Sequence, residues 1–258
     1  RVDERTRELS QLNQALLQAQ AQTERASQSK SRFLTAVSHD LMQPLNAARL
    51  FSASLAHQSD MPPEVEELVR HLDSSLASAE ELISDLLDIS RLEAGRIVPE
   101  LGDFALSELF DPLRIEFSAL AVEQGIDLRI HSSRLRVRSD MRLLRRVLQN
   151  FLTNAFRYAS AARVVLGVRH LHGAVRIEVW DQGPGIPQDK LQLIFEEFQR
   201  LDSHRTQAEK GLGLGLAIAD GLCRVLGHEL SVRSWPGHGS VFSVTVPLAS
   251  MPRAVRSR

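Results

Sequence analysis

The stretch SHDLMQPL, residues 38–45, places a histidine, a carboxylate and a proline inside a long run with helical periodicity. Apolar side chains on both sides of it keep an alternating spacing of three and four residues, which is typical of a heptad seam. The pattern begins near Val2 and predicts one long helix that is interrupted only at Pro44. Its apolar positions are Leu9, Leu12, Leu16, Ala19, Ala26, Phe33, Val37, Leu41, Leu45, Ala48 and Leu55.

A second helix is predicted after the turn SDMPP, residues 59–63, and runs to about Ala94. Its apolar residues are again four and three apart, and Gly95 stands where a C-terminal cap is expected. Two antiparallel helices cannot bury stripes of this length against each other alone. Pairing with a second copy would form a four-helix bundle, so we expect a homodimer.

The chain changes character after this hairpin, because all 14 glycines lie at or after Gly95. Glycine disfavours helix interiors by about 1 kcal/mol and suits turns. The remaining sequence mixes helical and β-rich segments in the order of an α/β sandwich. Helices are predicted at 107–124, 140–158 and 214–226, with Asp140 as an N-cap, and strands at 126–130, 163–170, 174–180, 230–233 and 241–246.

Composition excludes several classes of protein. A length of 258 residues and 43% hydrophobic residues suit about two folded domains. Lysine plus arginine (31) nearly balance aspartate plus glutamate (32), so neither nucleic acid nor an anionic membrane is expected as a partner. A single cysteine, Cys223, allows no internal disulfide and fits a reducing compartment. No apolar run approaches the ~20 residues of a membrane span and no signal peptide is visible. The chain starts within a helical pattern, as a piece of a longer protein would.

His39 is a candidate nucleophile. A neutral imidazole attacks phosphorus through one ring nitrogen, and the carboxylate of Asp40 could accept the other ring N–H. Pro44 lacks an N–H and clashes with the carbonyl of Asp40, so it would bend the helix beside the histidine. The alternative is a surface histidine that happens to precede an aspartate.

Two asparagines, Asn150 and Asn154, are four residues apart and share one helix face with Arg157 nearby. Their amide oxygens are suitable Mg²⁺ ligands together with waters and substrate phosphates. Buried asparagines with local hydrogen bonds are the alternative.

Two glycine-rich segments complete the candidate site. Asp181 ends a predicted strand and is followed by Gly183 and Gly185; it could accept from an adenine amino group, although the motif is also a common turn. The segment KGLGLGL, residues 210–216, opens a helix whose N–H groups favour phosphate, or else forms a hinge. No GK[ST] motif, HRD motif or DFG motif accompanies it. The polar segment 202–210 before it is predicted to be a lid that offers Arg205 and Lys210 to phosphate.

These segments resemble, in their order, the sequence boxes of sensor histidine kinases over about residues 28–249. The matching boxes are His39 with Asp40 (H box), Asn150 with Asn154 (N box), residues 181–185 (G1 box), residues 195–198 (F box), residues 211–215 (G2 box) and residues 237–240 with Phe242 (the last glycine box). The resemblance implies a signalling helix at 1–27, a dimerisation and phosphoacceptor domain at 28–95, an ATP-binding domain at 96–249 and a tail at 250–258. The second domain would be the α/β sandwich shared with type II topoisomerases and mismatch-repair ATPases.

The resemblance also implies an activity: ATP-dependent autophosphorylation of His39 with Mg²⁺, followed by transfer to an aspartate of a receiver domain, in a cytoplasmic homodimer without membrane contact in this fragment. The residues implied in catalysis are His39, Asp40, Gln43 and Asn150, and Asn154 would hold the metal. Those implied in ATP binding are Asn150, Asn154, Arg157, Tyr158, Asp181, Gly183, Gly185, Phe198, Lys210, Gly211, Leu212, Gly213, Leu214 and Gly215.

Four positions depart from the commonest family pattern. Asp40 replaces glutamate, Met42 a basic residue, and Leu212 a serine or threonine of the glycine loop. Gln43 stands where threonine or asparagine usually positions water, which leaves phosphatase activity open. This variant H box is similar to that of hybrid kinases with a receiver fused downstream. A regulatory pseudokinase and an ATP-driven conformational switch of the same superfamily are the alternative functions.

Overall fold

A computed structural model describes residues 13–14, 17–18, 22, 29, 37–38, 40–56, 62–158, 163–199 and 213–249. The chain divides into two compact units, Arg1–Arg96 and Ile97–Arg258. Among the described residues, no helix combines the length and the apolar character needed to cross a bilayer.

The first unit is helical wherever it is described before Pro62. Helix α1 covers residues 40–56 and includes Pro44. The predicted continuation past the proline is confirmed, whereas the predicted interruption at Pro44 is not seen in these residues. Helix α2 covers Pro63–Glu93, with Pro63 at its first position, where a missing N–H costs nothing. An ion pair of 2.8 Å joins Arg49 of α1 to Glu80 of α2. Most of the predicted coiled-coil helix before residue 37 and most of the turn at 59–63 lie outside the described residues.

Helix α2 ends at the predicted cap. Gly95 has a φ of +61°, and its N–H donates to the carbonyl of Leu92 at 3.0 Å. The next N–H, that of Arg96, donates to the carbonyl of Arg91 at 3.1 Å. This pair of bonds is the Schellman motif, in which a left-handed residue satisfies the last carbonyls of a helix.

The second unit consists of a mixed sheet, a small hairpin-like pair of strands and three helices. The helices are α3 (Leu106–Gln124), α4 (Met141–Tyr158) and α5 (Gly215–Leu226). The strands are β1 (Gly102–Ala105), β2 (Asp127–Ile130), β3 (Arg136–Ser139), β4 (Arg163–Leu171), β5 (Ala174–Asp181), β6 (Glu229–Trp235) and β7 (Gly239–Pro247). Short 3-10 turns occur at Gln188–Lys190 and Leu193–Phe195.

The main sheet has the strand order β2-β4-β5-β7-β6. Strand β2 pairs parallel with β4, and the other neighbours are antiparallel. The strands β1 and β3 form a separate antiparallel pair. All five strands predicted from the sequence are present, whereas β1 and β3 were not predicted.

The core lies between the helices and one face of the main sheet. Every second residue of β5 and β7 is fully buried there, including Ile177 and Phe242. Helix α4 supplies the other side with eight buried residues, and its Phe151 ring lies 5.7 Å from the ring of Phe242. The predicted N-cap is confirmed, because Asp140 Oδ1 accepts from the N–H of Leu143 at 3.0 Å. The two-part architecture, a helical region followed by an α/β domain, is therefore confirmed.

Candidate functional site

Asp181 is the last residue of β5 and its side chain is buried, with 8% exposed. Its Oδ1 accepts from the backbone N–H of Gly183 at 2.8 Å and of Ser240 at 3.2 Å. Burial raises the pKa of this carboxyl, although the two backbone hydrogen bonds oppose the shift. Because both bonds end on Oδ1, Oδ2 is the oxygen left to accept from a ligand.

The loop after Asp181 lies directly on the β6–β7 turn. The carbonyl of Pro184 accepts from the N–H of Gly237 at 2.7 Å, and Ser234 Oγ accepts from the N–H of Ile186 at 2.7 Å. Gly185 has a φ of +70°, and a Cβ built on it would lie 2.1 Å from the carbonyl oxygen of Trp235. Only glycine therefore fits this contact, which holds the loop against the turn.

Helix α4 contacts both glycine-rich segments. At one end, a Cβ built on Gly215 would lie 3.0 Å from Asn150 Oδ1, so the amide of Asn150 lies against the first residue of α5. At the other end, a Cβ on Gly183 would lie 3.2 Å from the carbonyl oxygen of Tyr158. Asn154 is four residues from each of these contacts, so it shares their helix face and lies between the two segments.

The N-terminus of α5 has the features of an anion site that its own side chains do not fill. Gly213 has a φ of +74°, Leu214 is 1% exposed, and no side chain caps the helix among the described residues. Asn150 Nδ2 is buried, and it has no hydrogen-bond partner among the residues that the structure describes. Uncapped helix N–H groups and an unused amide donor are complementary to phosphate oxygens.

The structure thus brings together one group of the predicted residues. Close contacts join Gly215 to Asn150, and Gly183 to Tyr158 and Asp181. Asn154 lies on α4 between Asn150 and Tyr158, and Gly213 and Leu214 directly precede Gly215. Arg157 follows on α4 and is half-buried. Phe198 exposes 58% of its side chain and has a φ of +61°.

Other predicted residues are not part of this group. Asp40 and Gln43 lie exposed on α1, in the first unit. His39, Lys210, Gly211, Leu212 and the proposed lid at 202–210 lie outside the described residues, so their predicted roles stay predictions.

Three contacts of the site were not predicted. The N–H of Ser240 on Asp181, the hydroxyl of Ser234 on the loop, and the carbonyl of Tyr158 all come from backbone register or turn geometry. The last glycine box, residues 237–240, was the only sequence signal that pointed towards Ser240.

Two family models match the chain. Residues 29–95 match the His Kinase A (phospho-acceptor) domain. Residues 139–250 match the histidine kinase-, DNA gyrase B-, and HSP90-like ATPase. Their order along the chain is that of the helical unit and the α/β unit.

The chain is also similar to histidine kinases along most of its length. It is 31% identical over 249 residues to Hybrid signal transduction histidine kinase B of Dictyostelium discoideum, covering 93% of this chain and 12% of the relative. It is 33% identical over 236 residues to Sensor histidine kinase RcsC of Escherichia coli, covering 90% of this chain and 25% of the relative. Full-length ShkA in complex with AMPPNP is structurally similar, with a TM-score of 0.69 and 29% identity over 86% of this chain and 47% of that one. The chain therefore spans only a part of these proteins.

Proposed function

The chain contains the transmitter module of a sensor histidine kinase, a phosphoacceptor domain followed by a histidine kinase-type ATPase domain, and from this we propose that it transfers the γ-phosphoryl group of ATP to its own His39. The phosphoryl group would then pass to an aspartate of a receiver domain. The observation that carries the proposal is that α4 contacts both the loop after Asp181 and the uncapped N-terminus of α5, because these two segments offer separate groups for a base and for phosphates.

At the base end, Asp181 Oδ2 would accept from the amino group of adenine. The glycines at 183 and 185 let the loop that carries Asp181 pack closely on its surroundings, since any side chain at these positions would meet Asp181, Tyr158 or Trp235. A role of this loop in nucleotide binding agrees with the match of residues 139–250 to the histidine kinase-, DNA gyrase B-, and HSP90-like ATPase.

At the phosphate end, the α5 N-terminus and the buried amide of Asn150 supply N–H donors. The side-chain amide oxygen of Asn154 is a suitable Mg²⁺ ligand. No cluster of three or more His, Cys, Asp or Glu side chains suited to a metal occurs in the described part of the chain. A magnesium ion would therefore depend on Asn154, the phosphates and water, and it would neutralise charge on the phosphates.

On the first unit, His39 would attack the γ-phosphorus through one imidazole nitrogen. An N–P bond forms, the bond from phosphorus to the ADP oxygen breaks, and the imidazole keeps a proton on its other nitrogen, for which Asp40 is the proposed acceptor. Gln43 follows His39 by four residues in the sequence, and its amide could orient water for dephosphorylation of the receiver. Arg157, Phe198, Lys210, Gly211 and Leu212 complete the proposed ATP site.

The setting of the module is also a proposal. We infer a cytoplasmic homodimer with domain limits of 28–95 and 96–249, and a receiver domain as partner, either separate or fused downstream. The family model of the phosphoacceptor domain and the similarity to a hybrid kinase support this setting.

Incubation with ATP labelled on the γ-phosphate tests the proposal. The wild-type chain is expected to take up label that is stable to alkali and labile to acid, and His39→Gln is expected to take up none. The matched control is His71→Gln, because His71 is an exposed histidine of α2 outside the H box. Absence of label from a folded wild-type dimer would favour a pseudokinase or an ATP-driven switch, and label on His39→Gln would remove His39 from the proposed role.

A further inference from the structure

The face of the main sheet that points away from α3, α4 and α5 carries both tryptophans of the chain. Strand register places Trp180 of β5, Val241 of β7 and Arg233 of β6 in one row. Trp235 is two residues after Arg233, so it lies on the same face. The two rings come from strands that are not neighbours, and they remain 36% and 45% exposed.

Arg233 joins the two rings into one surface. Its guanidinium carbon lies 5.8 Å from the centre of the Trp180 ring and 5.9 Å from that of Trp235. A cation this close to an aromatic face is attracted to it. Half of the Arg233 side chain, 51%, is nevertheless exposed, so its charge is available to solvent.

The charge of this face is positive, although the chain as a whole has a net charge of −1. Its ionisable side chains on the five strands are Arg129, Arg163, Arg169, Arg176, Arg233, Asp127, Glu178 and Glu229, five cations against three anions. Glu178 is buried and already has partners: it accepts from Trp180 Nε1 at 3.0 Å and from Arg169 Nε at 3.2 Å, and its Oε1 lies 3.8 Å from Arg233 Nη2. The charge of Glu178 is therefore balanced by neighbouring donors of the same face.

Two of the arginines are held in an unfavourable arrangement. Arg169 and Arg176 are direct partners in the β4–β5 register, and like charges opposite each other destabilise a sheet. Arg176 Nε is buried without a hydrogen-bond partner among the described residues. A carboxylate placed above this pair would relieve the repulsion.

Small residues separate the tryptophan row from the arginine row. The row between them contains Gly167, Ser243 and Ser231 in register with Glu178, and the two serine hydroxyls lie 2.7 Å apart. Longer side chains stand on both sides of it. One row contains Trp180 and Arg233, and the other contains Arg169 and Arg176 followed by Thr245 and Glu229. The face is thus a shallow trough with a polar floor, an aromatic wall, and a second wall that is cationic at its β4–β5 end.

We propose that this trough, defined by Trp180, Trp235, Arg233, Arg169 and Arg176, docks an acidic segment of a partner protein. Partly exposed tryptophan and arginine are the residue types that dominate binding energy at protein interfaces. The excess of arginine selects for a segment rich in carboxylates, because guanidinium pairs with carboxylate through two parallel hydrogen bonds. The surface lies on the opposite side of the sheet from the proposed ATP site, so both can be occupied together.

Tryptophan fluorescence gives a direct test, since the chain has no tryptophan outside this face. A short peptide of glutamate and aspartate without aromatic residues is titrated into the whole chain at low ionic strength. We expect a saturable change in tryptophan emission, weakened at least ten-fold by Arg233→Gln and lost as salt is added. Arg169→Gln should weaken binding in the same direction.

The matched control is Arg224→Gln, which removes the same charge from α5 on the other side of the sheet. It should bind the peptide like the wild type, and all variants should unfold at the same temperature as the wild type. Equal weakening by Arg224→Gln, or no saturable change, would overturn the proposal. Stronger binding of vesicles made of phosphatidylcholine and phosphatidylserine in equal parts, or of single-stranded DNA, would overturn the assignment to a protein partner.

Discussion

At the scale of single residues, Asp181 is expected to strengthen ATP binding and to lower the stability of the folded state. Its carboxylate is buried, and burial disfavours the charged form. Asp181→Asn should lower ATP affinity roughly 10- to 100-fold, since an amide NH₂ can face the adenine amino group where a charged acceptor is needed. The same substitution should leave the Tm at neutral pH equal or higher, because it removes a buried charge. Calorimetric titration with ATP and thermal unfolding measure the two effects.

The pH dependence of stability follows from the direction of this shift. The folded-state pKa of Asp181 is raised above its ordinary 3.8, so the folded state keeps a proton that the unfolded chain has already lost. Stability therefore falls as pH rises from the ordinary value through the raised one, and this contribution is absent from Asp181→Asn. The exposed Asp189→Asn is the control and should retain the wild-type profile. A parallel profile for Asp181→Asn and the wild type would contradict the assignment.

At the scale of elements, the contact between the 182–186 loop and the β6–β7 turn is expected to stabilise the α/β unit and to support ATP binding. Gly185→Ala introduces a left-handed alanine and also forces its Cβ to within 2.1 Å of the Trp235 carbonyl oxygen. Left-handed backbone alone costs about 1–2 kcal/mol, and overpacking adds about 1–3 kcal/mol. Urea unfolding should show a loss of about 2–5 kcal/mol, with weakened ATP binding.

The substitution Gly173→Ala separates the strain of the left-handed backbone from the steric clash. It has a φ of +75° in the β4–β5 turn, but a Cβ there would meet nothing within 4 Å. Gly173→Ala should therefore show only the backbone cost of about 1–2 kcal/mol and keep its ATP affinity. If both variants lost the same stability, the contact with Trp235 would have no special importance.

Long elements with a clear period could be predicted from the sequence. Helix α4 combines an Asp140 cap with a continuous stripe of buried residues, and both are visible in the sequence. Strands β1 and β3 were missed because their four residues each include polar or charged side chains and no run of apolar β-formers marks them. Their pairing joins Gly102 to Ser139, a contact between distant positions that no local pattern reveals.

The candidate site was predictable to the extent that its groups act locally. The position of Asp181 at a strand end follows from the β pattern before it. The N–H of Ser240 on the same carboxylate does not, because it depends on the register of β5 with β7. The trough of tryptophan and arginine could not be predicted from the sequence either, since Trp180 and Arg233 meet across an intervening strand.

At the scale of the whole molecule, the two units differ in how completely each buries its apolar side chains. The α/β unit encloses its own core, with many side chains fully buried. The helical unit leaves large apolar side chains exposed, at 70% for Leu50, 72% for Phe51 and 65% for Leu68. Exposed apolar surface of this kind on paired helices indicates an interface with another copy.

We therefore expect a dimer whose stability depends on the helical unit. Exchanging Leu50 and Leu68 together for glutamate places charges in the proposed four-helix bundle, where burial of an unpaired charge is unfavourable. Sedimentation should show the wild type as a dimer and this double variant as a monomer that still binds ATP. Ile115→Glu is the matched control, because Ile115 is 78% exposed on α3 of the α/β unit, and it should remain dimeric. A dimer that survives the double substitution but dissociates in Ile115→Glu would move the interface from the helical unit to the α/β unit.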